Sequence, residues 1–248
     1  ITAVGKADLH LHTNLSDGMA SVESLLSYVQ NETELDVIGI TDHEDVRGGL
    51  LAQELAAKHN YRFEVVPGAE VTTRQGHLLA LFIEQTPKIF QTLEQTIESI
   101  HKQEGLAIAP HPLSWLTRSL GKKSIDGIMR RGEDGIMLDG IETANASIAG
   151  QITAKKVRFL NEEIWKLPEL GASDGHHLVQ VGSGWTSFEG TTSQSLKEAL
   201  KLKKTSAHEG RNPSLKEIGY SQIALGLLWG FSATPRQVVR RIRGENIQ

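Results

Sequence analysis

The chain has 248 residues, enough to bury a full core as one large domain or two small ones. With 39% hydrophobic and 23% charged residues and a net charge of −4, it is excluded from the disordered and fibrous classes, and it has no apolar run near the roughly 20 residues of a membrane span. The absence of cysteine excludes a disulfide framework, a thiolate nucleophile and sulfur-ligated zinc, so any metal must be held by imidazole and carboxylate.

Short apolar runs alternate with helical patterns, which predicts βα units around a mainly parallel sheet. The opening residues Ile1 to Lys6 lack a basic region followed by an apolar core, so no secretory signal is expected and a cytoplasmic location is the default. A first strand is expected at Ala7–His12. Val22, Leu25, Leu26 and Val29 then recur at i, i+3, i+4 and i+7 behind the candidate N-cap Ser21, predicting an amphipathic helix. Strands follow at Val37–Thr41, Phe63–Ala69 and Leu78–Ile83. The last two are separated by a connection, Thr72 to Gly76, too short for a crossover helix, so a hairpin is expected there and the barrel should be irregular. Leu93, Ile97 and Ile100 stripe a helix that should stop at Gly105 in a left-handed C-cap. A fifth strand at Leu106–Ala109 leads into a long loop with a short helix over 113–135. Strands at Gly140–Thr143 and Glu169–Ser173, the sixth and seventh, flank a helix striped by Val157, Leu160 and Ile164.

No repeat or Pro-rich linker marks a boundary, so 1–248 reads as a single domain, with 190–248 as closing helices packed on it. Residues 195–248 carry ten Lys/Arg against four Asp/Glu, leaving the first 194 residues at −10. That basic tail, with Arg236, Arg240, Arg241 and Arg243, could attract a phosphorylated partner or nucleic acid. Val238, Val239 and Ile242 share the helix, however, and make packing with solvated arginine heads the simpler use. An aromatic content of 5% also leaves few stacking platforms for single strands.

Six of the ten histidines fall at predicted strand ends: His10, His12, His43, His77, His111 and His176. In parallel α/β folds the carboxyl ends of strands face one side, where side chains from many strands converge. Asp17, Asp42, Glu70 and Asp174 join them. His10 and His12, two apart on a strand, point to one face. So many buried polar groups would be left unsatisfied or mutually repelling without cations. An imidazole and carboxylate set suits Zn²⁺, Mn²⁺ or Fe²⁺, and nine ligands allow up to three ions. His59, His101 and His208 read as surface histidines. Asp42 is expected behind the ligands, orienting His43 or a neighbouring loop.

The ordered motifs Asp8-Leu9-His10-Leu11-His12-Thr13 with Ser16-Asp17-Gly18, Ile40-Thr41-Asp42-His43, Gly68-Ala69-Glu70, Ala109-Pro110-His111-Pro112 and Ser173-Asp174-Gly175-His176 resemble the polymerase and histidinol phosphatase (PHP) family of metal hydrolases. The resemblance implies an α/β fold, a distorted seven-stranded (β/α)7 barrel of the PHP type, with two or three divalent metals. It implies that His10, His12, Glu70 and Asp174 hold one ion, that Glu70, His77 and His111 hold a second, and that Asp17, His43 and His176 hold a third. Asp17 stands where several members have a histidine.

Such a centre implies a phosphoesterase in which a metal-bound hydroxide attacks a phosphomonoester or a terminal phosphodiester of a small or nucleotide-like substrate. It needs no side-chain nucleophile, in keeping with the absence of a G-x-S-x-G elbow or Walker-type loop. Arg74 and Arg118 are candidate phosphate partners, and residues 113–135 the candidate specificity rim. No obligate protein partner is called for. The alternatives are a histidinol-phosphate phosphatase, an amide or lactone hydrolase, and a non-catalytic module that keeps metals for stability.

Overall fold

The computed structural model describes residues 3–131, 135–211 and 213–221. In chain order the elements are β1 (Val4–Leu11), α1 (Val22–Glu32), β2 (Val37–Ile40), α2 (Arg47–Lys58), β3 (Glu64–Thr72), β4 (His77–Leu81), α3 (Leu93–His101), β5 (Leu106–Ala109), α4 (Lys122–Arg130), β6 (Gly140–Asn145), α5 (Ile148–Leu160), β7 (Glu169–Ala172), β8 (Gly184–Glu189), α6 (Ser193–Lys201), β9 (Ser206–Glu209) and α7 (Leu215–Ile218). The α/β alternation follows from the patterning. Helix α1 opens where Ser21 accepts from Ser24 N and buries Val22, Leu25, Leu26 and Val29. Helix α3 opens on a reciprocal capping box between Thr92 and Gln95.

The strands form one sheet in the order β7-β6-β5-β4-β3-β2-β1-β8-β9. Pairing is parallel for β1–β2, β2–β3, β5–β6 and β6–β7, and antiparallel for β3–β4, β4–β5, β1–β8 and β8–β9. The sheet curls until its β7 end meets β1: His12 N–H donates to Gly175 O at 3.0 Å and Gly175 N–H to His10 O at 3.1 Å. Strands β8 and β9 continue past β1 and lie against β7. At Gly171 any Cβ would strike the Trp185 carbonyl, so glycine is required for the approach.

The expected β3–β4 hairpin is present, with Thr72 paired to His77. The described residues contain nine strands rather than seven. Of the two extra ones, β8 alternates buried with half-buried or exposed positions, whereas β9 is at most half-buried along its length. The closing helices expected over 190–248 therefore include a strand at Ser206–Glu209, and residues 222–248, with the four tail arginines, lie outside the described residues. Glu104, at φ 57°, takes the left-handed position after α3 in place of Gly105. At Gly105 the constraint is packing, since a Cβ would lie 2.8 Å from Leu81 O. Ile164 is exposed and Trp165 buried, because a π-helical turn at Asn161–Trp165 advances the buried stripe by one residue.

In β1, the packing residues Ala7, Leu9 and Leu11 alternate with Asp8, His10 and, just past the strand, His12, all buried. One parity supplies core and the other chemistry. No helix among the described residues is long and apolar enough to cross a membrane.

Candidate metal centre

Strand direction decides which residues share the rim. His10 and His12 sit at the end of β1, His43 just beyond β2, Glu70 near the end of β3 and His111 just beyond β5. His77 opens β4, but β4 runs antiparallel to β3, so its first residue lies beside the last of β3. Asp174 and His176 follow β7, and Asp17 comes from the loop after β1. All nine predicted ligands therefore meet in one cluster.

The contacts fall into three sets. His10 Nε2 lies 3.2 Å from Glu70 Oε2 and 3.3 Å from Asp174 Oδ1, and His12 Nε2 lies 3.4 and 3.5 Å from the same two oxygens. On the other side of Glu70, Oε1 is 2.8 Å from His77 Nδ1 and 3.0 Å from His111 Nε2. Asp17 Oδ2 is 3.1 Å from His176 Nε2 and 3.5 Å from His43 Nε2. Donor atoms tetrahedrally arranged around a cation, with bonds of about 2.0–2.2 Å, are about 3.3–3.6 Å apart. The first set matches that spacing with four donors. Both nitrogens of His12 and Nδ1 of His43 are buried without a hydrogen bond, a costly state for an imidazole unless a cation takes the lone pair. The residues fit divalent metals. Grouped by proximity alone, His12 can also join Asp17, His43 and His176, and His10 can join His111 and Asp174.

Several imidazoles are aimed from behind. His10 Nδ1 donates to Glu142 Oε1 at 2.9 Å and His176 Nδ1 to Asp174 O at 2.9 Å, and His111 Nδ1 lies 2.8 Å from Ser119 Oγ. The carboxylate and the carbonyl can only accept, so they place a proton on the outer nitrogen of His10 and His176, and in all three rings Nε2 faces inward. Sequence reasoning missed Glu142 and Ser119. The signal for Glu142 was a lone carboxylate inside a predicted strand; Ser119 had none, being placed only by the turn after His111. Asp42 bonds Thr13 N (2.7 Å), Thr13 Oγ1 (2.6 Å) and Ser16 Oγ (2.5 Å) rather than His43, and so holds the loop that carries Asp17.

The electrostatics match a cation site. Burial depresses the His43 imidazole, but Asp17 and Glu70 outweigh it and raise it to about 10. Burial likewise opposes charge on His176, which Asp17 raises to about 9. Burial and its neighbour His176 together lower His12 to about 4. Burial would raise Asp17 and Glu70, yet the surrounding histidines hold both well below the usual carboxylate range. Without metal, protons on the histidines balance the carboxylates.

Arg74 and Arg118 lie outside this cluster, on its rim. Arg74 Nε donates to Phe90 O at 3.0 Å and an Arg118 terminal nitrogen to Thr73 O at 3.3 Å. His101 and His208 are not free surface histidines: His101 pairs with Asp139 at 2.8 Å, and His208, in β9, bonds Ser187 at 2.8 Å and stacks on Trp185.

The family model described as PHP domain matches residues 8–159, and a second, described as PHP-associated, matches residues 162–205. An uncharacterized protein of Methanocaldococcus jannaschii is 36% identical over 168 residues, 61% of this chain and 91% of its own length. Among solved structures, a two-domain Bacteroides vulgatus protein, described as containing a predicted PHP-like metal-dependent phosphoesterase, superposes with a TM-score of 0.66 at 20% identity, over 92% of this chain and 70% of that one. The lesion-specific endonuclease EndoQ of Pyrococcus furiosus superposes with a TM-score of 0.57 at 16% identity, over 86% of this chain and 60% of that one.

Proposed function

The chain belongs to the PHP domain family, and on that premise we propose that it is a metal-dependent phosphoesterase that hydrolyses a phosphomonoester or terminal phosphodiester of a small or nucleotide-like substrate. The observation that carries this reading is the convergence of nine imidazole and carboxylate donors, in sets spaced 2.8–3.5 Å apart, at one end of the barrel. His10, His12, Glu70 and Asp174 would hold one ion, Glu70, His77 and His111 a second, and Asp17, His43 and His176 a third. Divalent ions in such a site make water acidic enough to attack near neutral pH and offset charge on the phosphoryl oxygens.

The protein's own contribution is placement. Glu142 and the Asp174 carbonyl accept from Nδ1 of His10 and His176, and Ser119 Oγ lies against Nδ1 of His111, so that Nε2 of each is the nitrogen turned toward the centre. Asp42 holds the Asp17 loop, and Arg74 and Arg118 supply positive charge at the rim. In the hydrolysis, the water oxygen bonds to phosphorus as the ester P–O bond breaks, and a proton ends on the departing alkoxide oxygen. The endonuclease likeness supports including nucleotide-like substrates.

The test is elemental analysis of the purified protein together with phosphate release from a panel of phosphomonoesters and short oligonucleotides with added Mn²⁺. Two or three metals per chain with metal-dependent release support the proposal. Stoichiometric metal without release from any substrate refutes it and favours a metal-stabilised binding module.

A further inference from the structure

The regular pairing of β2 with β3 ends at Ile40 and Pro67, before the metal ligands are reached, yet Glu70 and Thr72 lie further along β3. The chain that follows β2 takes over as the neighbour. Glu70 N–H lies 3.2 Å from both Thr41 O and Asp42 O, and Glu44 N–H donates to Glu70 O at 3.0 Å. There the backbone turns away, with Glu44 in the left-handed region at φ 58°. The Thr72 N–H is met by the Glu44 side chain instead, whose Oε1 accepts from it at 3.0 Å. One carboxylate oxygen thus stands where the next carbonyl of a longer β2 would be. Glu44 and Thr72 are both buried, so a Thr72 donor deprived of that oxygen has no bulk water to turn to. Left-handed backbone suits glycine or asparagine better than glutamate, and it persists where the surroundings enforce it. The two bonds from Glu44 to β3 do so here.

We propose that Glu44 is a positioning residue of the metal centre: its carboxylate, by holding Thr72 N–H, fixes the β3–β4 hairpin against the end of β2 and so sets Glu70 and His77 for the ion they share with His111. The inference rests on the metal-dependent reading of the site for the assignment of that ion. Two of the three donors of this set, Glu70 Oε1 and His77 Nδ1, lie on the hairpin, 2.8 Å apart, and Thr72 is paired with His77 across it. The third, His111 Nε2, comes from β5 and lies 3.0 Å from Glu70 Oε1, so a shift of the hairpin separates the set. The set of His10, His12, Glu70 and Asp174 draws three of its four donors from β1 and the loop after β7 and depends less on the hairpin. Glu44 therefore acts on one ion more than on the others.

The experiment compares wild type, E44G, E44N and E44Q by equilibrium dialysis of the metal-free proteins against graded free Mn²⁺, with elemental analysis of each sample and circular dichroism to establish folding. E44G keeps the left-handed backbone and removes the side chain. E44N also tolerates that backbone and, one methylene shorter, withdraws the acceptor from Thr72; it decides the question should E44G not fold. E44Q keeps an acceptor for Thr72 N–H and removes only the charge. The expected result is a loss of about 10–100-fold in affinity for one ion in E44G and E44N, the other binding steps staying at wild-type affinity, and restoration of that step in E44Q. A wild-type isotherm in folded E44G or E44N overturns the proposal. Equal weakening of every ion overturns it as well, and so does a defect in E44Q as large as in E44G, which would make charge rather than placement the contribution. Phosphate release, measured on the same samples, separates the two readings: selective loss of one ion in proteins that hydrolyse no ester refutes the phosphoesterase and leaves the role of Glu44 standing, whereas turnover with an unchanged isotherm does the reverse.

Discussion

Replacing Glu142 by Gln keeps the shape of the side chain and removes one acceptor, and the structure makes the consequence calculable. The carboxylate accepts three bonds: Oε1 from His10 Nδ1 at 2.9 Å, and Oε2 from His111 N and Asn145 Nδ2, both at 2.7 Å. Glutamine has one oxygen. If that oxygen serves His111 and Asn145, its NH₂ faces His10 Nδ1, which must then become an acceptor and move its proton to Nε2. Nε2 is the atom 3.2 Å from Glu70 and 3.3 Å from Asp174, so the proton would occupy the place of a metal. In the other orientation the NH₂ opposes two buried donors. Asn145 cannot turn to help without losing the bonds its Oδ1 accepts from Ser147 N and Oγ, at 2.9 and 2.6 Å. A buried unsatisfied donor costs about 1–3 kcal/mol, and loss of a partner behind a metal ligand typically costs about 10–100-fold in affinity. We expect E142Q to lose about that much affinity for its tightest metal, measured by competition with a chromophoric chelator, with far-ultraviolet circular dichroism unchanged. Wild-type metal affinity in a folded E142Q would refute the argument that this carboxylate sets the His10 tautomer.

Chelation should lower the unfolding midpoint. One site saturated at about 100 times its dissociation constant adds about 2.7 kcal/mol, and about 2–4 °C per kcal/mol for a chain of this size gives a fall of roughly 5–10 °C, read by calorimetry with and without chelator; an unmoved midpoint would count against stabilisation by bound metal. Metal affinity should rise with pH. His43 and His176 are raised to about 10 and about 9 in the metal-free protein, so at pH 7 both hold protons that an ion must displace, and the competition fades only as pH climbs through those values. Calorimetric titration in buffers of different ionisation enthalpy should show proton release at pH 7, and its absence would contradict the assignment. The His101–Asp139 pair raises the His101 pKa through its hydrogen bond, against partial burial. Its stabilisation, about 0.5–1 kcal/mol, is present in full below pH 6.5 and lost as pH rises through the folded value. D139N should therefore narrow the difference in urea stability between pH 6 and pH 9, and an identical pH dependence in wild type and variant would discount the pair.

Much of the site was legible in the order of residues along the chain. A histidine or carboxylate at the end of nearly every predicted strand means that any fold aligning those strands gathers them, because parallel neighbours end on one side. The αβ alternation, the helix start at Ser21 and the β3–β4 hairpin followed from periodicity, capping and connection length, all local properties. What local pattern could not carry was the choice among buried polar groups. Glu142 and Asp42 are both strand-associated carboxylates, and only the packed barrel shows that one faces His10 and His111 while the other turns to Thr13 and Ser16. Strand β9 escaped because a half-buried strand need not show strict alternation, and Ile164 misled because a single π-turn shifts the buried stripe without any mark in composition. The sequence by itself determined which side chains were available for metal and on which elements they lay. Only the tertiary structure set their distances and the partners behind them, Glu142 and Ser119, since these depend on contacts between segments far apart in the chain that no local propensity encodes.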